Sequence, residues 1–176
     1  MTSSIVRYGI IAGLIVAIPM LWQMLVRGEL AESLLLGYAI MIVALTAVFL
    51  GVKQYRDKKL GGVIRFLPAL GVGLGISTVA CLFYVAAWEI SLAFSDFDFA
   101  RFYTNAMIEA AKAKNASPAE IQQAVTDAQS FAKMYANPLV RMPITFVEMF
   151  PVGVLISLIS AGLLRNSKFL PARGAN

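Results

Sequence analysis

Apolar residues run almost unbroken through four stretches of the chain: Ile5 to Val26, Ser33 to Val52, Phe66 to Phe94 and Ile144 to Leu164. Polar and charged residues gather between and beyond them. The runs are continuous, whereas the strands of a membrane barrel alternate apolar and polar positions over ~10 residues. A helix rises ~1.5 Å per residue and the hydrocarbon core of a bilayer is ~30 Å thick, so ~20 mostly apolar residues suffice to cross it. The pattern therefore predicts four spanning helices.

The links between the runs differ in kind. Arg27-Gly28-Glu29-Leu30-Ala31-Glu32 is short and polar, which predicts an antiparallel hairpin of helices one and two. The link from Ser95 to Met142 is long, and its sequence is helical. Phe102 to Lys114 is rich in alanine and straight-chain residues, which favour helix. Ser117-Pro118-Ala119-Glu120 carries a helix start, with Ser117 as N-cap, Pro118 in the first turn and Glu120 closing a capping box. Ile121, Ala124, Val125, Ala128, Phe131, Ala132 and Tyr135 then recur at three- and four-residue spacing, one apolar face ending at Asn137-Pro138. The expected fold is all-α: one integral membrane domain over residues 1–176, a four-helix bundle. An extracytoplasmic amphipathic helical hairpin, about 97–136, is expected between helices three and four.

Composition agrees with this solvent. Of 176 residues, 59% are hydrophobic and 14% charged, against about 25% charged in a soluble domain. Mean hydropathy is +0.75. A net charge of +5 could suggest nucleic acid, but the basic residues sit at the ends of the spans, where they meet lipid headgroups and set orientation. Arg7, then Lys53, Arg56, Lys58, Lys59 and Arg65, then Arg165, Lys168 and Arg173 fall on one side. The positive-inside rule puts that side, with both termini, in the cytoplasm of a bacterial inner membrane. The first run is too long for the core of a cleaved signal peptide and is expected to stay as a helix. Cys81 is the single cysteine, so no intrachain disulfide can form. There is no histidine, which removes the usual zinc and haem ligand and the commonest general base.

Two carboxylates fall inside predicted spans. Glu89 lies five residues from the end of the third run, and Glu148 four residues into the fourth. Charge in hydrocarbon is costly, so each should face protein or water and find a partner. Arg101 and Arg141 just outside the runs are the expected partners, with Gln23 and Thr145 adding hydrogen bonds. One reading is a pair of interfacial ion pairs. The other is an outward-facing polar pocket for a cation, a proton or a small ligand. Pro19 and Pro151 interrupt helix hydrogen bonding nearby, while Pro143 reads as a helix-start proline. Trp22, Tyr84 and Trp88 suit an interfacial aromatic belt. Small residues at four-residue spacing (Gly9, Gly13 and Ala17; Gly71 and Gly75; Gly73, Ser77 and Cys81; Gly153, Ser157 and Ala161) predict close helix packing. Lys53, Arg56, Lys58, Lys59 and Arg65 are expected to contact headgroups, and Gly61-Gly62 to turn the chain into helix three.

Tyr55-Arg56-Asp57, Gly62, Phe66, Tyr84 to Trp88, Tyr103-Thr104, Asn137-Pro138, Arg141-Met142-Pro143 and Glu148-Met149-Phe150-Pro151-Val152-Gly153 keep their order and spacing along the chain. In these strings the sequence resembles a bacterial membrane family catalogued as domain of unknown function 4199. The resemblance implies a small inner-membrane protein with four spans and a helical insertion before the last. It implies no activity, ligand, cofactor or catalytic residue. From the residues alone, the expected role is a non-enzymatic accessory or structural subunit acting through helix–helix contacts. Its partners would be membrane lipids and other membrane polypeptides or further copies of itself, not nucleic acid. The alternative is a small transporter or a ligand or ion sensor using the acidic pocket.

Overall fold

The structure is a computed structural model, and it describes residues 1–27 and 34–172. The polar link after Arg27 and the basic Arg173 lie outside the described residues. Within them the chain forms six α-helices and one π-helical turn. The helices are α1 (Thr2–Trp22), α2 (Leu34–Lys59), α3 (Phe66–Phe94), α4 (Phe99–Ala113), α5 (Pro118–Tyr135) and α6 (Pro138–Leu164), and the π turn, Gln23–Arg27, continues α1. Four of these segments are long and apolar enough to cross a membrane: Thr2–Arg27, Gly37–Lys59, Phe66–Phe94 and Pro138–Leu164. Helix α3 has the bounds expected from hydropathy. Helix α2 runs past Val52 to Lys59, because straight-chain and charged residues continue a helix as readily as apolar ones. Helix α6 begins at Pro138, not near Ile144. Pro138 takes the first turn, where its missing N–H costs nothing, and the Asn137 side chain accepts from Leu139 N–H at 3.0 Å. Pro143 is therefore inside the helix and does not start it.

The chain divides into two compact units, Met1–Ser95 with Thr145–Asn176, and Asp96–Ile144. In the first unit, glycines set how closely the helices approach. A side chain on Gly75 would meet Ile5 at 2.8 Å, one on Gly9 would meet Val79 at 2.5 Å, and one on Gly13 would meet Phe83 at 2.5 Å. The positions advance together in steps of four, so α1 and α3 run parallel in one register. Helices α3 and α6 run antiparallel through a reciprocal contact, Gly73 against Ser157 and Gly153 against Ser77. Ser77 Oγ donates to the Gly153 carbonyl at 3.2 Å and lies 3.3 Å from Ser157 Oγ, which itself donates to Gly153 at 2.7 Å. Without a hydrophobic drive between helices in lipid, packing of this kind and such hydrogen bonds (about 0.6 kcal/mol each) hold the helices together. Gly71, expected to share this role, has nothing within 4 Å and lies on the outside.

The core of this unit is Ala12, Leu45, Val48, Val52, Val72, Ile76, Ala80 and Met149 with their neighbours. Its exterior carries many large apolar side chains. Leu67 is 74% exposed, Val147 61% and Ile18 60%. A surface so apolar would be an aggregation liability in water and is the expected outer face in lipid.

The basic link turns where expected, with Gly61 at φ 64° and Gly62 at φ 90°. One expectation there is overturned. Arg56 is fully buried and does not reach headgroups. Its Nε donates to Asp57 at 2.7 Å, Nη1 to the Phe169 carbonyl at 2.9 Å and the Leu164 carbonyl at 3.5 Å, and Nη2 to the Leu170 carbonyl. Leu164 ends α6, where carbonyls lack helical partners, so the guanidinium satisfies that end and ties residues 165–170 to α2. Phe169 adds an edge-on contact to Phe49, 6.5 Å between ring centres.

The second unit contains the helical pair read from the third link. Asp98 caps α4 by accepting from Arg101 N–H at 3.0 Å, and Asn115 closes its far end in the left-handed region at φ 55°. The capping box forms: Ser117 N–H donates to Glu120 at 2.7 Å, and Glu120 N–H to Ser117 Oγ at 3.4 Å. The Ser117 backbone and hydroxyl donors hold the Glu120 carboxyl below the usual carboxylate range. Phe99 stacks on Tyr135 at 4.3 Å and Tyr103 lies on Phe131 at 4.8 Å, zipping α4 to α5.

Candidate functional site

A cavity of ≈ 160 Å³ opens among α1, its π turn, α2, α3 and α6, within the first unit. Its walls are mostly apolar, with Val16, Pro19, Met20, Met24, Ile40 and Met41, and its polar groups come from Gln23, Tyr38, Tyr84, Trp88 and Glu148. Each arrives for a local reason. Pro19 removes a backbone donor from α1, and the helix then widens into the π turn, whose first residue is Gln23. Such turns break the regular helix face and recur at functional sites. Tyr84 lies ten residues before the end of α3 and Glu148 ten residues after the start of α6. Antiparallel helices bring such positions to one depth, and the Tyr84 hydroxyl donates to the Glu148 carboxylate. At ~1.5 Å per residue, that depth is ~15 Å from each helix end.

The structure sorts the expected site residues. Gln23 and Glu148 meet at the cavity. Glu89 is half-buried on α3 but is not in the cavity wall. Arg101 and Arg141 belong to the second unit. Arg101 is exposed there, at the start of α4. The Arg141 guanidinium donates to the Tyr135 and Ala136 carbonyls, both at 3.4 Å, and lies 6.0 Å over the Tyr135 ring, capping α5. Trp22 is 60% exposed, as a belt residue should be, but Trp88 is 7% exposed and turned into the cavity. Hydropathy could not separate the two tryptophans, since both sit near a span end. The signal that could have found Trp88 and Tyr84 is their four-residue spacing, which puts them on one face of α3. Of the expected headgroup residues, Lys58, Lys59 and Arg65 are exposed, and Lys53 is half-buried and paired with Asp57.

Chemically, the site offers one carboxylate, two phenols, an amide and aromatic faces in an apolar shell. Among the described residues there is no group of three or more His, Cys, Asp or Glu that could hold a metal ion. Four helices long and apolar enough to cross a membrane, with a polar-edged cavity between them, define the class: an α-helical protein built for a bilayer. Residues 7–166 match the family described as a protein of unknown function, DUF4199, and the chain belongs to that family. No curated protein and no solved structure matches it.

Proposed function

We propose that this is a non-enzymatic multi-pass protein of a bacterial inner membrane that binds a small organic cation in the Glu148 cavity, as a ligand sensor or a transporter. The observation carrying this reading is an acidic side chain in the wall of an apolar cavity, four residues into the apolar run of α6, hydrogen-bonded by Tyr84. A carboxylate at such a place is costly and marks a ligand or ion path by default. Trp88, Tyr84 and Tyr38 add ring faces that attract cations, each worth about 0.5–2 kcal/mol. A single carboxylate suits a monovalent ammonium better than a metal dication, which gathers several oxygen ligands. The cluster of Arg7, Lys58, Lys59, Arg65, Arg165 and Lys168 at one end of the bundle supports a cytoplasmic placement of that end. Residues 96–144 would then lie outside the cytoplasm. The absence of histidine from the sequence, which removes the commonest general base, supports a non-enzymatic role.

Trp88 supplies the test. In a Trp22→Phe background its fluorescence should change on titration with tetramethylammonium. Glu148→Gln should weaken that response at least tenfold, and Glu89→Gln should leave it within about twofold, a change of about 0.4 kcal/mol. An unaltered response in Glu148→Gln would reject the site.

A second reading has its own observation. Gly71 and Gly162 leave open notches on the outer faces of α3 and α6, with nothing within 4 Å. Such notches suit another helix, which favours an accessory subunit bound to other membrane polypeptides or to further copies of itself. Mass spectrometry of the particle extracted from its own membrane tests this; finding this polypeptide alone and monomeric would exclude it.

A further inference from the structure

At the basic end of the bundle, far along α1 and α2 from the Glu148 cavity, a second cavity of ≈ 170 Å³ lies between the first turns of α1 and the last turns of α2. It is lined by Ser3, Ser4, Arg7, Gln54, Lys58 and Lys59. Three of these six side chains are cations, two are hydroxyls and one is an amide, and none is an acid. The nearest acid in sequence, Asp57, is held by Lys53 and Arg56. Among the described residues, no carboxylate pairs with Arg7, Lys58 or Lys59. Three like charges are thus gathered around one concavity with no counter-charge paired to them among the described residues. Like charges brought together repel, so the arrangement calls for an anion.

We infer that this cavity binds a phosphate group, foremost that of an anionic lipid. A phosphate offers several acceptor oxygens and up to two negative charges, which matches a ring of donors carrying three positive charges better than a carboxylate does. Arginine supplies a planar fork for two of those oxygens, and the lysines act as point charges. The placement favours the lipid source. The cavity sits at the ends of two spanning helices, where the bilayer's phosphates lie. This goes beyond general attraction to a charged leaflet, because it assigns the contact to one cleft that includes Ser3 and Ser4.

The test compares two triple variants that remove equal charge. Arg7→Gln with Lys58→Gln and Lys59→Gln empties the cavity of cations. Arg65→Gln with Arg165→Gln and Lys168→Gln removes three exposed cations outside its lining. Purified full-length proteins are titrated with phosphatidic acid in neutral-lipid nanodiscs, and binding is read by native mass spectrometry. The first variant should lose on the order of 100-fold in affinity, about fivefold per basic residue, and the second should stay within about threefold. Equal losses in both would show a diffuse field and overturn the inference, as would no loss in either. Single variants Arg7→Gln and Lys58→Gln, each with wild-type melting behaviour, should show intermediate losses, which guards against misfolding of the triple variant. Inorganic phosphate, titrated into lipid-free detergent solution, separates the sources. Binding of phosphatidic acid alone supports a lipid ligand, competition by inorganic phosphate supports a soluble phosphate source, and binding of neither overturns the site.

Discussion

Arg56 shows how much one side chain can carry. It is the one charged residue among the fully buried positions of the described chain, and it makes four polar contacts. Among the described residues its charge is balanced by Asp57, and its remaining donors go to carbonyls at and beyond the end of α6. Arg56→Ala leaves those carbonyls and Asp57 without it, and the expected loss is about 3–5 kcal/mol. Arg56→Lys should recover little, because an ammonium cannot span carbonyls on two sides of a fork. Thermal unfolding in detergent measures the loss. Limited proteolysis should show residues 165–172 cut faster in both variants. A melting temperature unchanged in Arg56→Ala would remove the clamp from the description. In sequence, Arg56 is one of five basic residues in a row of candidates for headgroup contact. Its partner carbonyls lie more than a hundred positions away, so nothing local distinguishes it.

Between helices, the decisive variable is where a small residue faces. Gly9 and Gly153 are pressed against Val79 and Ser77, whereas Gly71 borders open space. A methyl group added at Gly9 or Gly153 would sit 2.5 Å from Val79 or 2.7 Å from Ser77, too close for either helix to stay in place. Gly9→Ala and Gly153→Ala should each cost about 1–3 kcal/mol. Gly71→Ala should change stability by less than about 0.5 kcal/mol in the monomer. Melting curves of the three variants in one detergent make the comparison, and a Gly71→Ala loss matching the other two would contradict this packing. Four-residue spacing was readable in the sequence for all of them. It names a stripe on a helix but not the neighbour the stripe meets. The capped helix α5 was legible down to its first residue, because its stop and start signals are bonds within four positions of each other.

For the molecule as a whole, an even number of spanning helices in alternating direction puts the start of α1, the α2–α3 link and the end of α6 at one end of the bundle. Cys81 is fully buried and should not react with thiol reagents, so introduced cysteines report topology cleanly. In intact cells, a membrane-impermeant maleimide should label Ser117→Cys. It should spare Lys59→Cys and Lys168→Cys until the membrane is opened. Labelling of all three from one side would reject the threading on which the cytoplasmic placement and both proposed ligand sites depend.

The sequence by itself determined the number of helices long and apolar enough to cross a membrane, the helical nature of residues 99–135 and the family. All of these follow from hydrophobic runs, helix caps and strings of neighbouring residues, which are local or cumulative along the chain. Only the tertiary structure decided that Glu148 meets Gln23, Tyr84 and Trp88 at one cavity, that Arg56 is a buried clamp, and that Ser3, Ser4 and Arg7 share a cleft with Lys58 and Lys59. Those pairings depend on the rotation and register of one helix against another. That register is set by how side chains such as Val79 and Phe83 fill the spaces over Gly9 and Gly13.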